Sequence, residues 1–466
     1  MSLPATAAQI CEWTGGSLLR GRPDQTFAGT RIDSREVGPE DLFVAIVGPN
    51  HDAHSFVSAV LLSGAAGALI QNDRMGETIG PGEGFVIHVK DTTRALADIA
   101  RGHRQSFDGP LIGITGSNGK TTTKELCADI LRRQGSTLAT KGNLNNNYGV
   151  PLTLLCREAS DAFAIIEMGM NHRGEIATLC EIAEPTIGVL TNVGTAHIEF
   201  LGSREAIAEE KGDLLAALPA GGTAVLPRDY PLAFAQAART KASVLSFGQD
   251  ATAELRASEI RYLESGHFAF HLDSPFGKGE IRVPGLAETI VENALAAAGG
   301  AFAAGVSFET VADGLAHHGG IAGRMQPRSL DGEILLIDDT YNANPQSMQN
   351  ALETLARIPV QGKRFVALGQ MGELGEMADA AHRELGALAA RLGFDGLFVL
   401  APAAQLIAKG ARDAGMPSEQ VHEEADHSFI AEALRARLGK GDAVLVKGSR
   451  AARMERVIDA IEEGHN

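Results

Sequence analysis

A glycine-rich turn between an apolar run and a helical pattern constrains this chain more than any other stretch. The apolar residues at 111, 112 and 114 predict a buried strand. Residues 116–121 then read Gly-Ser-Asn-Gly-Lys-Thr, and a helical pattern follows to Arg133 and ends at Gly135. A strand, such a turn and a helix in this order cradle phosphate groups, because backbone N–H groups and the positive helix end attract anionic oxygens.

The residues within this turn favour nucleotide binding. Lys120 is expected to reach the β- and γ-phosphates of a nucleotide, and the Thr121 hydroxyl to ligate Mg²⁺. Ile114 stands where the usual spacing has a first glycine, and a bare Gly-Lys-Thr is also compatible with an ordinary strand-to-helix turn. The strand before and the helix after favour the nucleotide interpretation. The predicted contacts are Gly116, Ser117, Asn118, Gly119, Lys120, Thr121 and Thr122.

Composition limits the class of protein. A chain of 466 residues is natural for three domains, and its formal net charge of −17 argues against nucleic acid as a partner. The sequence contains no run of about 18 apolar residues, so no membrane span is predicted. The first 14 residues lack a basic region followed by an apolar core, so we expect no signal peptide and a cytoplasmic location. Cysteines 11, 127, 156 and 180 form no C-x-x-C pair, so reduced thiols are expected rather than zinc ligands.

The predicted fold class is α/β in three domains. Residues 1–108 resemble a small α/β unit. Residues 109–318 alternate strand and helix from the glycine-rich turn onward, which predicts a P-loop-type parallel sheet with right-handed crossovers. Residues 319–466 predict a Rossmann-like domain, but they contain no G-x-G-x-x-G and so no dinucleotide site. Short hinges are expected near 108–110 and 319–320.

Three polar residues follow predicted strands of the central domain. Glu167 ends one apolar strand, and Asn192 and His197 follow the next. In a parallel sheet, ligands bind at the carboxyl ends of strands, so these residues are expected beside the glycine-rich turn. Singly, Glu167 is compatible with a solvated strand end and His197 with a loop histidine. Their convergence favours Mg²⁺ binding, which requires hard oxygen ligands.

Taken together, these motifs resemble the Mur ligase family of peptidoglycan synthesis over nearly the whole chain. The resemblance rests on residues 115–122, 142–151, 167–172, 192–199, 210–212, 293–296, 323–324, 338–345 and 447–450. Asp-Asp-Thr-Tyr-Asn-Ala-Asn-Pro at 338–345 and Lys-Gly-Ser-Arg at 447–450 are similar to the branch that adds D-alanyl-D-alanine. The Asp-Asn-Pro-Arg typical of the branch that adds the third amino acid is not found.

The resemblance implies an ATP-dependent ligase that joins D-alanyl-D-alanine to UDP-N-acetylmuramoyl-tripeptide through an acyl phosphate. Another Mur ligase that adds a single amino acid, or folylpolyglutamate synthase, remains an alternative. A nucleotide-gated switch is the alternative from another class, although it would not need the acidic cluster or the third domain. The third peptide residue, lysine or diaminopimelate, stays open. We expect a monomer whose domains close on their ligands.

The resemblance also assigns residues, with ATP and two Mg²⁺ ions as the cofactors. It implies catalytic roles for Lys120, Lys211, His197 and Glu167, and metal binding by Thr121, Glu167, His197 and a carbamylated Lys211. By composition alone, Lys211 is expected to be an exposed helical lysine. Thr289 departs from the family's usual histidine near the adenine. Expected nucleotide contacts outside the turn are Asn293, Arg324, Asp339, Tyr341 and Asn342, and expected substrate contacts are Asp33, Ser34, Arg35, Asn145 and Asn146.

Overall fold

The fold is known from a computed structural model that describes residues 4–49, 51–71, 79 and 82–463. Three larger sheets follow one another along the chain. The expected hinges near 108–110 and 319–320 fall between the first and second sheets and between the second and third. This arrangement agrees with the predicted α/β class. The domain boundaries at 108 and 318 stay a prediction.

The first sheet has the strand order β2-β7-β6-β5-β4, with β1 and β3 paired beside it. Strands β4 to β7 run parallel, whereas β2 is antiparallel to β7. Its elements are β1 (Ala5–Thr6), α1 (Ala7–Thr14), β2 (Ser17–Arg20), β3 (Thr26–Phe27), β4 (Gly29–Arg31), β5 (Asp41–Val44), α2 (Val57–Leu62), β6 (Gly67–Gln71), β7 (Phe85–Val89) and α3 (Thr92–Arg104).

The central sheet has nine strands in the order β16-β15-β14-β13-β12-β11-β8-β10-β9. Its elements are β8 (Leu111–Thr115), α4 (Lys120–Leu131), β9 (Thr137–Ala139), α5 (Gly149–Leu155), β10 (Phe163–Glu167), α6 (Glu175–Ala183), β11 (Ile187–Leu190), α7 (Ile198–Leu201), α8 (Arg204–Ala216), β12 (Thr223–Pro227), α9 (Pro231–Phe234), β13 (Ser243–Gly248), β14 (Leu255–Tyr262), β15 (His267–Ser274), β16 (Gly277–Pro284), α10 (Thr289–Ala303) and α11 (Phe308–Ala316).

The predicted parallel sheet is confirmed from β9 to β14, with β8 between β10 and β11. The expected alternation of strand and helix does not hold further along the chain. Strands β14, β15 and β16 pair antiparallel in succession. Antiparallel neighbours are joined by tight turns and need no crossover helix, so strands and helices do not alternate at this end of the sheet.

The third sheet has the order β17-β18-β22-β19-β20-β21 and is parallel except for β17. The apolar runs at 333–339, 364–369, 396–400 and 442–446 predict four strands, and β18, β19, β20 and β22 lie there. The sequence does not predict β17, β21 or α12. Its elements are β17 (Gln326–Leu330), β18 (Ile334–Asp339), α12 (Pro345–Arg357), β19 (Arg364–Leu368), α13 (Ala378–Leu392), β20 (Gly396–Leu400), α14 (Gln405–Asp413), β21 (Val421–Glu424), α15 (His427–Arg435), β22 (Ala443–Lys447) and α16 (Glu455–Glu463).

Helix α3 joins the first sheet to the central one. It packs on α5 and α6 of the central domain, and an apolar core continues from the first domain into the second. We call this contact of α3 with α5 and α6 the seam. Arg104, which is only 7% exposed, lies in it. Its guanidinium donates to the carbonyl oxygens of Ala183 at 2.8 Å, Glu184 at 2.9 Å and Phe107 at 2.6 Å. The two domains therefore form one packed unit.

Among the described residues, no helix is long and apolar enough to cross a bilayer.

We predict that Arg104→Ala lowers the free energy of unfolding by about 3 kcal/mol, because buried carbonyl groups lose charged donors. Arg94→Ala is the matched control on the same helix. Arg94 is largely exposed and pairs with Asp98, so its loss is expected to cost about 0.5 kcal/mol or less. Urea denaturation measures both values. Equal effects of the two substitutions would show that the seam contributes little to stability.

Candidate functional site

The glycine-rich turn lies at the carboxyl end of β8, in the middle of the central sheet. At Gly116, with φ +153°, an added Cβ would stand 1.8 Å from the Thr191 hydroxyl. At Gly119, with φ +80°, it would stand 2.1 Å from Oδ1 of Asn293. Both positions therefore exclude a side chain. The α4 helix begins directly after the turn, and its first-turn N–H groups have no intrahelical acceptor, so they are available to an anion.

Asn192 holds the first half of the turn from the neighbouring strand. Its backbone carbonyl accepts from Ser117 N–H at 3.1 Å, and its Oδ1 accepts from Asn118 N–H at 2.9 Å. The amides of Ser117 and Asn118 are thus occupied by the protein itself. These two amides are therefore not free for phosphate oxygens, whereas the amides at the start of α4 are.

Lys120 is folded back onto the turn. Its ammonium donates to the Gly116 carbonyl at 2.7 Å. Loss of hydration lowers the pKa of Lys120, and the nearby Glu167 carboxylate opposes that shift. The ammonium and the carboxylate therefore share one site, as the sequence predicted.

Glu167 ends β10 and is only 2% exposed. Its Oε1 accepts from Asn145 Nδ2 at 2.8 Å, so Asn145 orients the carboxylate rather than facing only a substrate. Among the described residues, Oε2 of Glu167 is buried without a hydrogen-bond partner. A buried carboxylate oxygen left unpaired is unusual and marks a site for a ligand.

His197 lies between the central and third domains. Its Nδ1 is 2.6 Å from Oε2 of Glu373, a residue of the third domain that was not predicted for the site. The interaction with His197 lowers the pKa of Glu373. The contact is an ion-pair distance without hydrogen-bond geometry, because Nδ1 has no hydrogen-bond partner among the described residues.

Lys211 is 1% exposed on α8, so the expectation of an exposed helical lysine is wrong. Burial lowers its pKa well below the usual value, and the charge of Lys120 lowers it further. No hydrogen bond or ion pair of this ammonium is found among the described residues, and only the nearby Glu210 carboxylate opposes the lowering of its pKa. Burial of an unpaired lysine is costly, which points to a functional reason for it.

The third domain brings a second group of predicted residues to the turn. The Arg324 guanidinium donates to the Thr121 hydroxyl at 2.8 Å and lies over the Tyr341 ring, 4.2 Å from its centroid. Asp339 pairs with the Lys447 ammonium at 2.6 Å. Lys447 also donates to the Asn342 carbonyl at 3.0 Å. The predicted nucleotide contacts of two domains therefore converge.

The tip of the turn is also held from the third domain, through residues that sequence reasoning missed. Asn118 Oδ1 accepts from Asn344 Nδ2 at 2.7 Å, and Asn118 Nδ2 donates to Gln346 Oε1 at 3.1 Å. Asn344 is the N-cap of α12, and Pro345 follows it at the first helical position. This cap-and-proline pattern is a recognised helix start and could have revealed α12.

A cavity of about 1480 Å³ lies between these groups. Its lining includes Glu167, Asn192, His197, Thr289 and Asn293, together with Asn145, Asn146, residues 117–122, Arg324, Asp339, Tyr341 and Asn342. The lining drawn from described residues includes neither Lys211 nor residues 33–35. Arg35 instead pairs with Asp33 in an exposed turn. Among the described residues, no three or more His, Cys, Asp or Glu side chains form a metal cluster, so a metal here needs other oxygen donors.

Comparison with known proteins agrees with this geometry. The Mur ligase middle domain model matches residues 114–301, and the Mur ligase glutamate ligase domain model matches residues 323–450, more than half of the chain. The chain belongs to the Mur ligase family. The family resemblance and the predicted fold class are therefore confirmed.

Named relatives match this Mur ligase along nearly its whole length. UDP-N-acetylmuramoyl-tripeptide--D-alanyl-D-alanine ligase of Mycobacterium tuberculosis strain H37Rv is 35% identical over 98% of this chain and 97% of its own. The crystal structure of MurF from Acinetobacter baumannii superposes with a TM-score of 0.89 at 31% identity over 99% of each chain. The crystal structure of MurF ligase from Thermotoga maritima in complex with ADP superposes with a TM-score of 0.82 at 32% identity, over 94% of this chain and 97% of its own.

We predict that Gln346→Ala weakens ADP binding by about fivefold, because loss of one hydrogen bond costs about 1 kcal/mol and releases the Asn118 side chain. Gln349→Ala, an exposed residue of the same helix that bonds Glu353, is the matched control and should bind ADP normally. Isothermal titration calorimetry measures both. Identical affinities would mean that the turn holds its shape without the third domain.

Proposed function

We propose that this Mur ligase joins D-alanyl-D-alanine to UDP-N-acetylmuramoyl-tripeptide at the expense of ATP, giving the UDP-muramoyl-pentapeptide. The observation that carries the proposal is the convergence of Lys120, Glu167 and Arg324 around one glycine-rich turn. The substrate pair comes from the name that the relatives carry over nearly their full length. A ligase that adds a single amino acid and folylpolyglutamate synthase are less favoured for the same reason.

The reaction proceeds in two steps. A carboxylate of the muramoyl peptide attacks the γ-phosphorus of ATP, the bond to ADP breaks, and an acyl phosphate forms. The amine of D-alanyl-D-alanine then attacks the acyl carbon, inorganic phosphate leaves, and the amine loses a proton. Phosphoryl transfer depends mainly on positioning and charge neutralisation. Lys120 and the free amides at the start of α4 neutralise charge on the transferring group.

Mg²⁺ fits the residues beside the turn. The unpaired Oε2 of Glu167 is a hard oxygen donor, and the Thr121 hydroxyl lies on the first turn of α4. We assign one ion to Thr121 and Glu167, and a second to His197 and Lys211. Bound Mg²⁺ would neutralise phosphate charge, while Asn145 keeps the Glu167 carboxylate oriented.

Lys211 would contribute to a metal site as a carbamate. Its depressed pKa favours the neutral amine, which is the form that adds to CO₂. The addition forms an N–C bond, releases a proton and converts an unpaired amine into an anionic oxygen donor. The new negative charge would also offset the adjacent charge of Lys120. Both effects give a physical reason for burying a lysine on α8.

The cavity is large enough for more than one ligand, since drug-sized sites occupy roughly 300–1,000 Å³. We assign adenine and ribose to Asn293, Arg324 and Asp339, with Tyr341 and Asn342 beside them. Asn145 and Asn146 would face the peptide end of the muramoyl substrate. The uridine end is assigned to Asp33, Ser34 and Arg35, whose exposed turn lies outside the cavity. We place the reaction in the cytoplasm and propose that the protein acts as a monomer.

The product mass tests this proposal. With ATP, D-alanyl-D-alanine and a UDP-tripeptide ending in lysine or diaminopimelate, one of the two tripeptides should give the pentapeptide mass. Phosphate release should require both substrates. Lys120→Ala should lower turnover by about 10²- to 10³-fold, because the transferring phosphoryl group loses a preorganised charge. ATP hydrolysis with neither substrate present would favour a nucleotide switch, and near-normal turnover of Lys120→Ala at saturating ATP would contradict the site.

We predict that Lys211→Ala is inactive and that added short-chain carboxylic acids partly restore its turnover. The cavity left by the side chain could admit a small carboxylate in place of the carbamate. Formate and acetate should restore activity, whereas chloride at the same ionic strength should not. Full activity without any additive would rule out this role for Lys211.

A further inference from the structure

Helix α4 carries a second lysine, which the reaction does not use. Lys124 lies one turn beyond Lys120 and is only 1% exposed. Its ammonium donates to the Thr140 carbonyl at 2.6 Å and pairs with Glu125 Oε1 at 2.5 Å. A buried ammonium is expensive unless it is paired and hydrogen-bonded. An apolar side chain would fill this place more cheaply, so the contact with Thr140 needs an explanation.

Thr140 follows β9 and is also 1% exposed. Its hydroxyl oxygen accepts from the Glu167 N–H at 2.9 Å, and its own N–H donates to the Ile165 carbonyl at 3.1 Å. Thr140 is thus bonded to both residues that flank position 166 on β10. Three consecutive buried groups, the Lys124 ammonium, Thr140 and the Glu167 backbone, form one chain of hydrogen bonds.

We propose that Lys124 is a positioning residue that aims the Glu167 carboxylate through Thr140. The proposal rests on the proposed function of Glu167 as a metal ligand. Asn145 holds Oε1 of that carboxylate from one side, and the Lys124–Thr140 chain holds the backbone from which the side chain extends. Together they fix the direction of the unpaired Oε2. Groups that orient a metal ligand affect metal affinity without touching the metal.

The competing explanation is that Lys124 only stabilises α4. A stabilising residue would change the midpoint of unfolding and leave metal affinity unaltered in the folded protein. If Lys124 is a positioning residue, its substitution would change metal affinity, and substitution of Thr140 would produce the same change. The two explanations therefore separate in a binding measurement made well below the unfolding transition.

The test uses Lys124→Met and Thr140→Val, which remove the ammonium and the hydroxyl while keeping most of the side-chain volume. Thr140→Ser, which keeps the hydroxyl, is the conservative control. Ile130→Ala, a buried residue of α4 near α11, is the control for destabilisation alone. Each variant is loaded with ADP, and Mn²⁺ binding is followed by the electron paramagnetic resonance signal of free Mn²⁺. ADP affinity without metal is measured by calorimetry.

We expect Lys124→Met and Thr140→Val each to weaken Mn²⁺ binding by about tenfold, the effect typical of groups that orient a metal ligand. The double variant should be no weaker than about the worse single one, because both act on one chain of contacts. Thr140→Ser and Ile130→Ala should bind Mn²⁺ as the parent protein does, and metal-free ADP affinity should change in none of them.

Unchanged Mn²⁺ affinity in Thr140→Val would overturn the proposal, even if Lys124→Met fails to fold. Equal weakening in Ile130→Ala would also overturn it, since the effect would then be general loosening. No ligation enters the measurement. A protein that binds Mn²⁺ and ADP as expected but forms no pentapeptide would refute the proposed function and leave the positioning role intact.

Discussion

The close approach of Thr191 to the turn after β8 is the constraint on which the site depends. The Thr191 hydroxyl donates to the Asn118 carbonyl at 2.6 Å and fills the space that a Cβ on Gly116 would need. A side chain at 116 would displace the Thr191 hydroxyl from the Asn118 carbonyl, and it would also stand 3.2 Å from the backbone nitrogen of Asn192. The chain at the end of β11 therefore favours glycine at this position.

Local pattern predicts the parts of this site that one strand and one turn determine. The strand at 111–115, the turn and α4 follow from apolar pattern and glycine spacing, and Glu167 and Asn192 converge because parallel strands end at the same edge. Contacts between domains do not follow from such patterns. The bond from Asn118 to Gln346 joins residues 228 positions apart, and the pairing of His197 with Glu373 depends on how the third domain is placed.

The burial of Lys211 shows a second limit of local reasoning. Two glutamates and a glycine beside it suggest a solvated helix face, but α8 packs against β8 and β11 and hides the lysine. The pattern of polar and apolar residues identifies the buried face of a helix only when the polar residues face the solvent. A buried charge breaks that rule, and such departures are expected mainly at functional sites.

Charge in the site is balanced unevenly. The charge of Lys120 lowers the pKa of Lys211, and the charge of Arg324 lowers the pKa of Lys120. Glu167 and Glu373 offset part of this positive charge. The protein as a whole carries a formal charge of −17, so the positive character is local. A local excess of buried cations is relieved when an anion such as a triphosphate enters.

The seam formed by α3 has a consequence for dissecting the chain. Division near 108 would expose apolar surface on both fragments, because one core runs through the first two domains. The third domain has two cores of its own, one of which Leu286 of the central domain contacts, and it meets the glycine-rich turn through polar groups. Separate expression from about residue 319 onward should therefore give a fragment that keeps its cores.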